Sequence, residues 1–194
     1  HLSLYAAAYA AGVSFNDLAG FEWAQESIEA LAARDIAAGT GEGRFEPRRP
    51  VTRAEFIRML MDTAGLTDAN ARSTFLDVEA DARYASAVAS AQQLGIVQGK
   101  TDRIFGVHDP ITRQDMAVMV YRVLVLLNAV LETDASPAEF ADGDAVAGYA
   151  AEAVRAMHRS GLIQGTGNGR FEPEAHADRA QAAVILYRLF QVLP

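Results

Sequence analysis

Residues 45–56 read FEPRRPVTRAEF, and this stretch contains the signals that begin a helix. Thr52 is followed three residues later by Glu55, just ahead of an apolar run, which is the capping-box pattern of a helix N-terminus. We predict that Thr52 caps the third amide of the helix and that Glu55 reaches back to the Thr52 amide. Arg53 needs another explanation, because it places a cation in the first helical turn, where the helix dipole favours an anion.

The same stretch occurs three times in the chain. Three segments align on a glycine, a phenylalanine and an arginine: IAAGTGEGRFEPRRPVTRAEF from Ile36, IVQGKTDRIFGVHDPITRQDM from Ile96 and IQGTGNGRFEPEAHADRAQA from Ile163. A Phe-x-Asp tripeptide precedes each segment, at 15–17, 75–77 and 140–142. Self-similarity at a nearly fixed spacing indicates tandem structural repeats.

Each repeat has the same predicted order of elements. A first helix with an apolar stripe is followed by a Gly-rich turn, a loop that closes on phenylalanine, and a capped second helix. The predicted cap pairs are Thr52 with Glu55, Thr112 with Asp115 and Asp178 with Gln181. We predict repeats at 15–66, 75–131 and 140–194, with residues 1–14 as an N-terminal helix or linker that docks on them. The second helix of repeat two is the most apolar, so we place it at the centre of the assembly. The glycines expected to end the first helices, each followed by a positive-φ turn, are Gly39, Gly99 and Gly165.

Composition excludes several classes of protein. The chain has 194 residues, 51% of them hydrophobic, which is enough for a folded core. Its net charge of −8 argues against a nucleic-acid partner, and the apolar run at 116–131 is too short and too polar to predict membrane insertion. There are no cysteines, and the four histidines show no metal-ligand spacing. We predict no metal site, no cofactor and no catalytic residues.

These motifs together resemble those of S-layer homology repeats. The resemblance runs from Phe15 to Pro194. It rests on Phe-x-Asp and TRAE-like motifs in all three units, on Ile-x-x-Gly in the first two, and on x-Phe-x-Pro in the first and third. It implies an all-α, pseudo-threefold assembly of three helix-loop-helix repeats around a central helical bundle. It also implies an extracellular module that attaches a surface or S-layer protein to the bacterial cell wall. The implied ligand is a secondary cell-wall polysaccharide, often carrying pyruvate ketals, which lies in grooves between repeats.

The arginine after each helix cap is the same in all three copies. These residues are Arg53, Arg113 and Arg179. One interpretation is an internal ion pair with the aspartate of a Phe-x-Asp tripeptide, namely Asp17, Asp77 or Asp142. The other is an anion site, in which free helix amides and the guanidinium capture a ligand carboxylate. The resemblance favours ligand contact, with the aspartates orienting the arginines or accepting sugar hydroxyls. On that hypothesis Arg53→Ala destabilises the fold less than Thr52→Ala does.

Other residues are candidates for contact with the glycan. The three glycine turns would shape the grooves. The aromatic residues Trp23, Tyr84 and Tyr149 could stack on a sugar ring, although core packing is the commoner role for aromatics at helical spacing. Gln98 and Gln164 precede two of the glycines and could donate to hydroxyls. Repeat two carries Arg103 where the other copies have glycine, so we expect three unequal grooves.

We therefore predict a non-catalytic carbohydrate-binding anchor whose partner is an anionic cell-wall polysaccharide, with self-association possible through a fused S-layer region. One alternative is a helical-repeat scaffold that assembles into a surface lattice by protein–protein contacts. A second alternative, a glycan hydrolase, is disfavoured by the threefold repetition, because a catalytic acid and its base need different environments.

Overall fold

The computed structural model describes residues 13–131 and 139–194. It contains α1 (Glu22–Ala32), α2 (Arg53–Ala64), α3 (Ala85–Gln93), α4 (Arg113–Leu126), α5 (Ala151–Arg159) and α6 (Arg179–Val192), with a 3₁₀ turn at Gly143–Ala145. Within these residues the only β pairing consists of isolated bridges. The predicted all-α fold is confirmed. The expected N-terminal helix or linker lies outside the described residues, apart from positions 13 and 14.

The helices form a closed ring of three repeats. The second helix of each repeat packs against the first helix of the next, so that α2 contacts α3, α4 contacts α5 and α6 contacts α1. The second helices α2, α4 and α6 also contact one another in the middle. The second helix of repeat two, α4, does lie at the centre, but it shares this position with α2 and α6, because pseudo-threefold packing gives all three second helices equivalent places.

A ring of backbone hydrogen bonds joins the repeats just before their second helices. The Val51 amide donates to the Ala177 carbonyl, the Ala177 amide to the Ile111 carbonyl, and the Ile111 amide to the Val51 carbonyl, each at 3.0 Å. Each repeat therefore donates one bond and accepts one. Because buried amides and carbonyls must find partners, this ring fixes the relative position of all three repeats.

The caps form as the sequence predicts in two repeats. Thr52 with Glu55, and Asp178 with Gln181, each form a capping box. In repeat two the Thr112 side chain accepts from the Asp115 amide, whereas the Asp115 carboxylate turns to other partners. The Asp115 side chain is one methylene shorter than that of glutamate, and its carboxylate binds Arg53 and Tyr149 instead of the Thr112 amide.

The glycine turns have a different role from the one predicted. The first helices end earlier, and the left-handed positions that follow them are Asp35, Gly95 and Gly161. At Gly99 an added Cβ would lie 2.5 Å from the Phe75 ring and 2.6 Å from the Thr101 carbonyl oxygen. Gly39 and Gly165 are similarly crowded by a loop carbonyl and a phenylalanine ring. These glycines thus permit close packing of the loop rather than ending a helix.

Candidate functional site

Each of the three repeated arginines connects its own repeat to the next one. Nε of Arg53 donates to the Phe105 carbonyl at 3.0 Å, and its guanidinium carbon lies 4.9 Å from the centre of the Phe105 ring. Arg113 makes the same contacts with Phe171, and Arg179 makes them with Phe45. All three arginines are buried. The cation in the first helical turn therefore serves a contact between repeats, which offsets its unfavourable position relative to the helix dipole.

The amides at the start of the second helices are already in use. The Arg53 amide donates to the Asp109 carbonyl at 2.9 Å, and the Ala54 amide donates to the Val107 carbonyl at 3.2 Å. The corresponding amides of α4 and α6 donate to carbonyls of the loops of repeats three and one. The predicted anion site formed by free helix amides is therefore wrong. Of the two groups proposed for the anion site, the helix amides and the repeated arginines, the guanidinium groups of the arginines remain.

The aspartates of the Phe-x-Asp tripeptides hold the loops. The Asp17 carboxylate accepts from the amides of Phe45 and Glu46 at 2.9 and 2.8 Å, and Asp77 and Asp142 accept from the matching loop amides. Among the described residues their ion pairs are with exposed loop arginines, Arg44 for Asp17 and Arg170 for Asp142. The aspartates do not orient the repeated arginines by direct contact, so that prediction is wrong.

The loop amides also set the ionisation of these carboxyl groups. Burial raises the pKa of Asp17, Asp77 and Asp142, but the hydrogen bonds from loop amides oppose it, and the net result is a lowered pKa in all three. The aspartates are therefore charged at neutral pH. Their charge is used to fasten each loop against its own repeat.

The repeated arginines differ at both terminal nitrogens. Nη2 donates to a loop carbonyl in Arg113 and Arg179, whereas in Arg53 it has no hydrogen bond within the described residues. The larger difference, which concerns the counter-ion, is at Nη1. In Arg53 it donates to Asp115 at 2.8 Å, and in Arg179 it lies 3.8 Å from Glu55. Arg113 donates through Nε to the Phe171 carbonyl and through Nη2 to the Gln164 carbonyl, and within residues 13–131 and 139–194 its Nη1 has neither a hydrogen bond nor an ion pair.

The counter-ion at Nη1 depends on one residue of the neighbouring repeat, namely the third residue of its second helix. At this position Asp115 contacts Arg53 and Glu55 lies 3.8 Å from Arg179, whereas the equivalent residue for Arg113 is Gln181, which lines the same groove. Two arginines thus have a carboxylate of the neighbouring repeat beside them, whereas Arg113 shares its groove with a neutral amide. Burial lowers the pKa of Arg113, and more distant carboxylates act against this change. Arginine nevertheless stays charged in proteins, so the charge of Arg113 lacks a contacting counter-ion in the described structure.

Arg113 borders a groove of about 330 Å³ that is shared by all three repeats. Trp23 contributes from repeat one, and Gln164, Gly165 and Gln181 contribute from repeat three. The Trp23 side chain belongs to a residue that is 58% exposed, so one face of the indole is open to a ligand. An aromatic surface, a buried cation and amide groups around one groove can recognise a polar ring that carries a negative charge.

The three predicted aromatic residues are not equivalent. Trp23 and Tyr149 are exposed and lie five positions before the buried residues Ile28 and Val154 of their helices. Core packing is therefore the wrong role for both of them. Tyr84 lies only four positions before Val88, so it is partly buried against the core.

The structure adds site residues that the sequence interpretation missed. The sequence assigns Asp115, Glu55 and Gln181 only to helix capping. In the structure Asp115 and Glu55 each lie beside an arginine of another repeat, and Gln181 lines the same groove as Arg113. The sequence signal for these residues is the change from Glu to Asp to Gln at one aligned position, because it changes the charge from negative to neutral in repeat three. Of the two glutamines proposed as ligand contacts, Gln164 lines the Arg113 groove, whereas Gln98 belongs to the loop of repeat two and is exposed.

No helix formed by the described residues is both long enough and apolar enough to cross a membrane. Nor do those residues bring three or more His, Asp or Glu side chains into a group that could hold a metal ion.

Comparison with known proteins gives a consistent result. The S-layer homology domain matches the chain three times, at residues 14–57, 74–117 and 139–183. An amylopullulanase of Thermoanaerobacterium thermosulfurigenes is 33% identical over 98% of this chain and 10% of its own length. An exoglucanase, XynX, of Acetivibrio thermocellus is 32% identical over 92% of the chain and 16% of its own length.

A surface-layer 125 kDa protein of Lysinibacillus sphaericus is 28% identical over 91% of the chain and 15% of its own length. This chain thus spans only 10% to 16% of the length of these three relatives. The region shared by polysaccharide-degrading enzymes and a surface-layer protein is the non-catalytic anchoring region, which indicates a location at the bacterial cell surface. The three repeats, their closed helical ring and the family match together show that the chain belongs to the S-layer homology domain family, whose members anchor surface proteins to the cell wall.

Proposed function

We propose that this module holds a larger surface protein to the cell wall by binding an anionic secondary cell-wall polysaccharide, with a pyruvate ketal as the charged group. The observation that carries the proposal is the combination of an exposed Trp23 and a buried Arg113 around one groove. Sugars present apolar C–H faces and polar edges, so a groove with an aromatic wall and convergent polar groups suits them.

Each part of the groove has a distinct task in this proposal. A pyranose ring stacks on the open face of Trp23, and Gln164 donates to a sugar hydroxyl. Gly165, which carries no Cβ, lets the sugar approach the loop backbone. The ketal carboxylate binds Nη1 of Arg113 through a charge-assisted hydrogen bond, which is stronger than a bond between neutral groups.

The acidic composition of the chain supports local recognition rather than long-range attraction. The net charge is −8, so the average field of the protein repels an anionic polymer. Binding must then come from contacts inside the groove, where low dielectric strengthens the interaction with Arg113. We therefore expect affinity to depend on the ketal itself more than on the overall charge of the polymer.

Sedimentation with purified cell walls tests the proposal. The 194-residue chain should co-sediment with native walls, and mild acid removal of the ketals should abolish most of the binding. Trp23→Ala should weaken binding about tenfold, which corresponds to about 1.4 kcal/mol. Leu76→Ala is the matched control, because Leu76 is 66% exposed but does not line the groove, and it should bind like the parent. Equal binding to walls with and without ketals would refute the proposed ligand.

A further inference from the structure

We propose that only the groove of Arg113 and Gln181 accepts a carboxylate-bearing sugar, because beside Arg53 and Arg179 a carboxylate of the protein already occupies the position that the ligand's charge would take. This inference rests on the proposed function and narrows it to one of three sites. It assigns the choice of groove to a single position, the third residue of the second helix in the next repeat.

The guanidinium contacts separate the three grooves. Nη1 of Arg53 is paired with Asp115 at 2.8 Å, and the Asp115 carboxylate also accepts from the Tyr149 hydroxyl at 2.7 Å. Asp115 is thus held in place from two sides. A ligand carboxylate would have to displace it and then lie close to a second negative charge, which is unfavourable in a partly buried site.

The charge of Arg179 is compensated in a similar way. Glu55 lies 3.8 Å from Nη1 of Arg179 and is itself bound to Arg49 and to the Thr52 amide. The Arg179 guanidinium also uses Nε and Nη2 on the carbonyls of Phe45 and Ala38. Its charge therefore already faces an acidic side chain that is fixed by the capping box.

Gln181 leaves the third groove open. Its side-chain oxygen accepts from the Asp178 amide as part of the cap, so the helix start is satisfied without a charge. Arg113 is only 7% exposed and has one nitrogen without a partner in the described chain, and both Arg113 and Gln181 line the groove. A buried cation without a contacting counter-ion favours the entry of an anion.

The aromatic wall follows the same division. Trp23 lines the Arg113 groove with an open indole face. In the Arg53 groove Tyr149 is exposed, but its hydroxyl is held by Asp115. Trp23 and Tyr149 each lie five positions before a buried residue of the first helix, Ile28 and Val154. In repeat two the corresponding residue, five positions before Val88, is Arg83, so this repeat has no aromatic side chain at that position.

Calorimetry with a monovalent probe tests the inference. The probe is an N-acetylhexosamine that carries a pyruvate ketal, and the same sugar without the ketal serves as its control. The parent chain should bind one probe molecule. Gln181→Glu, which keeps a good capping residue, should weaken binding at least tenfold because it places a carboxylate beside Arg113. Gln191→Glu makes the same change of charge about 15 Å along α6 and should leave binding unchanged.

A gain of binding provides the converse test. Asp115→Asn removes the charge that occupies the Arg53 groove while keeping a similar shape, so the stoichiometry should rise from one probe to two. Far-ultraviolet circular dichroism and urea unfolding establish that the variant is folded. If it is not folded, Gln181→Glu alone decides the matter, because its cap is retained.

The outcomes distinguish this inference from the proposed function. No binding of the probe, together with wall binding that survives ketal removal, would refute the proposed function. Three equivalent sites in the parent, or unchanged affinity in Gln181→Glu, would overturn the choice of groove while leaving the glycan proposal intact. One site that is lost in Gln181→Glu and retained in Gln191→Glu supports the inference.

Discussion

Arg53→Ala should destabilise the protein more than Thr52→Ala, which reverses the order expected from the sequence. The substitution removes the Nε donor from the Phe105 carbonyl, and leaving a buried carbonyl unsatisfied costs about 1–3 kcal/mol. It also removes the partner of Asp115. That side chain is 26% exposed and keeps the Tyr149 hydroxyl, so we assign this loss about 1 kcal/mol, well below the value for a fully buried pair.

The expected total for Arg53→Ala is therefore about 2–4 kcal/mol. Thr52→Ala removes only the side-chain cap of α2 and should cost about 1 kcal/mol. Arg58→Ala is the matched control on the same helix. It pairs with Asp62 one turn away and donates through Nη2 to the Ile36 carbonyl at 3.2 Å, but both partners belong to its own repeat, and these partly exposed contacts should together contribute about 1 kcal/mol.

Urea unfolding at pH 7, followed by circular dichroism, measures these differences. The midpoint should fall most for Arg53→Ala and less for both Thr52→Ala and Arg58→Ala, with a similar slope in each transition. If Arg53→Ala loses less stability than Thr52→Ala, the arginine is not a structural link between repeats, and the account of its burial given above fails.

Two further predictions concern the loops. Gly99→Ala should destabilise the fold by more than about 2 kcal/mol, because the added Cβ meets the Phe75 ring and a loop carbonyl, whereas Gly95→Ala, also at positive φ but in open space, should cost only about 1 kcal/mol in the same urea assay; equal losses would show that steric crowding is not the constraint. The pKa of Asp77 is lowered in the folded protein. The stability that this carboxylate contributes should therefore be fully present above its ordinary pKa of 3.8 and should be lost as pH falls through the lower folded pKa. Unfolding measured between pH 7 and pH 3 should show this decline, with a smaller dependence on pH in Asp77→Asn; an unchanged dependence would mean that the loop amides do not hold a charged aspartate.

The repeats, helix caps and fold class could be predicted because their signals are local. A cap joins residues three apart, and an apolar stripe repeats within each helix. The aspartates were recognised as important, but their partners were not. Each aspartate accepts hydrogen bonds from loop amides roughly half a repeat away. Every residue except proline has a backbone amide, so the residue types in the sequence do not show which amide will be the donor.

The helix amides and the exposed aromatic residues show a second limit of sequence reasoning. A helix N-terminus read alone has free amides, whereas in the closed ring those of α2, α4 and α6 donate to loops of neighbouring repeats. Trp23 fits a helical apolar stripe, yet it lies at the edge of that stripe and faces a groove. Both outcomes depend on which repeat lies beside which.

The sequence by itself therefore determined the threefold repetition, the capped helices, the all-α class and the membership of a cell-wall anchoring family. Only the tertiary structure decided what the repeated arginines do. Their hydrogen-bond partners are 52 residues away for Arg53 and 134 residues away for Arg179, which becomes a neighbour of Phe45 when repeat three closes on repeat one. The tertiary structure also decided that Arg113, unlike Arg53 and Arg179, has no carboxylate beside it. Gln181 is a capping residue in the sequence, and only ring closure places it in the groove of an arginine from another repeat.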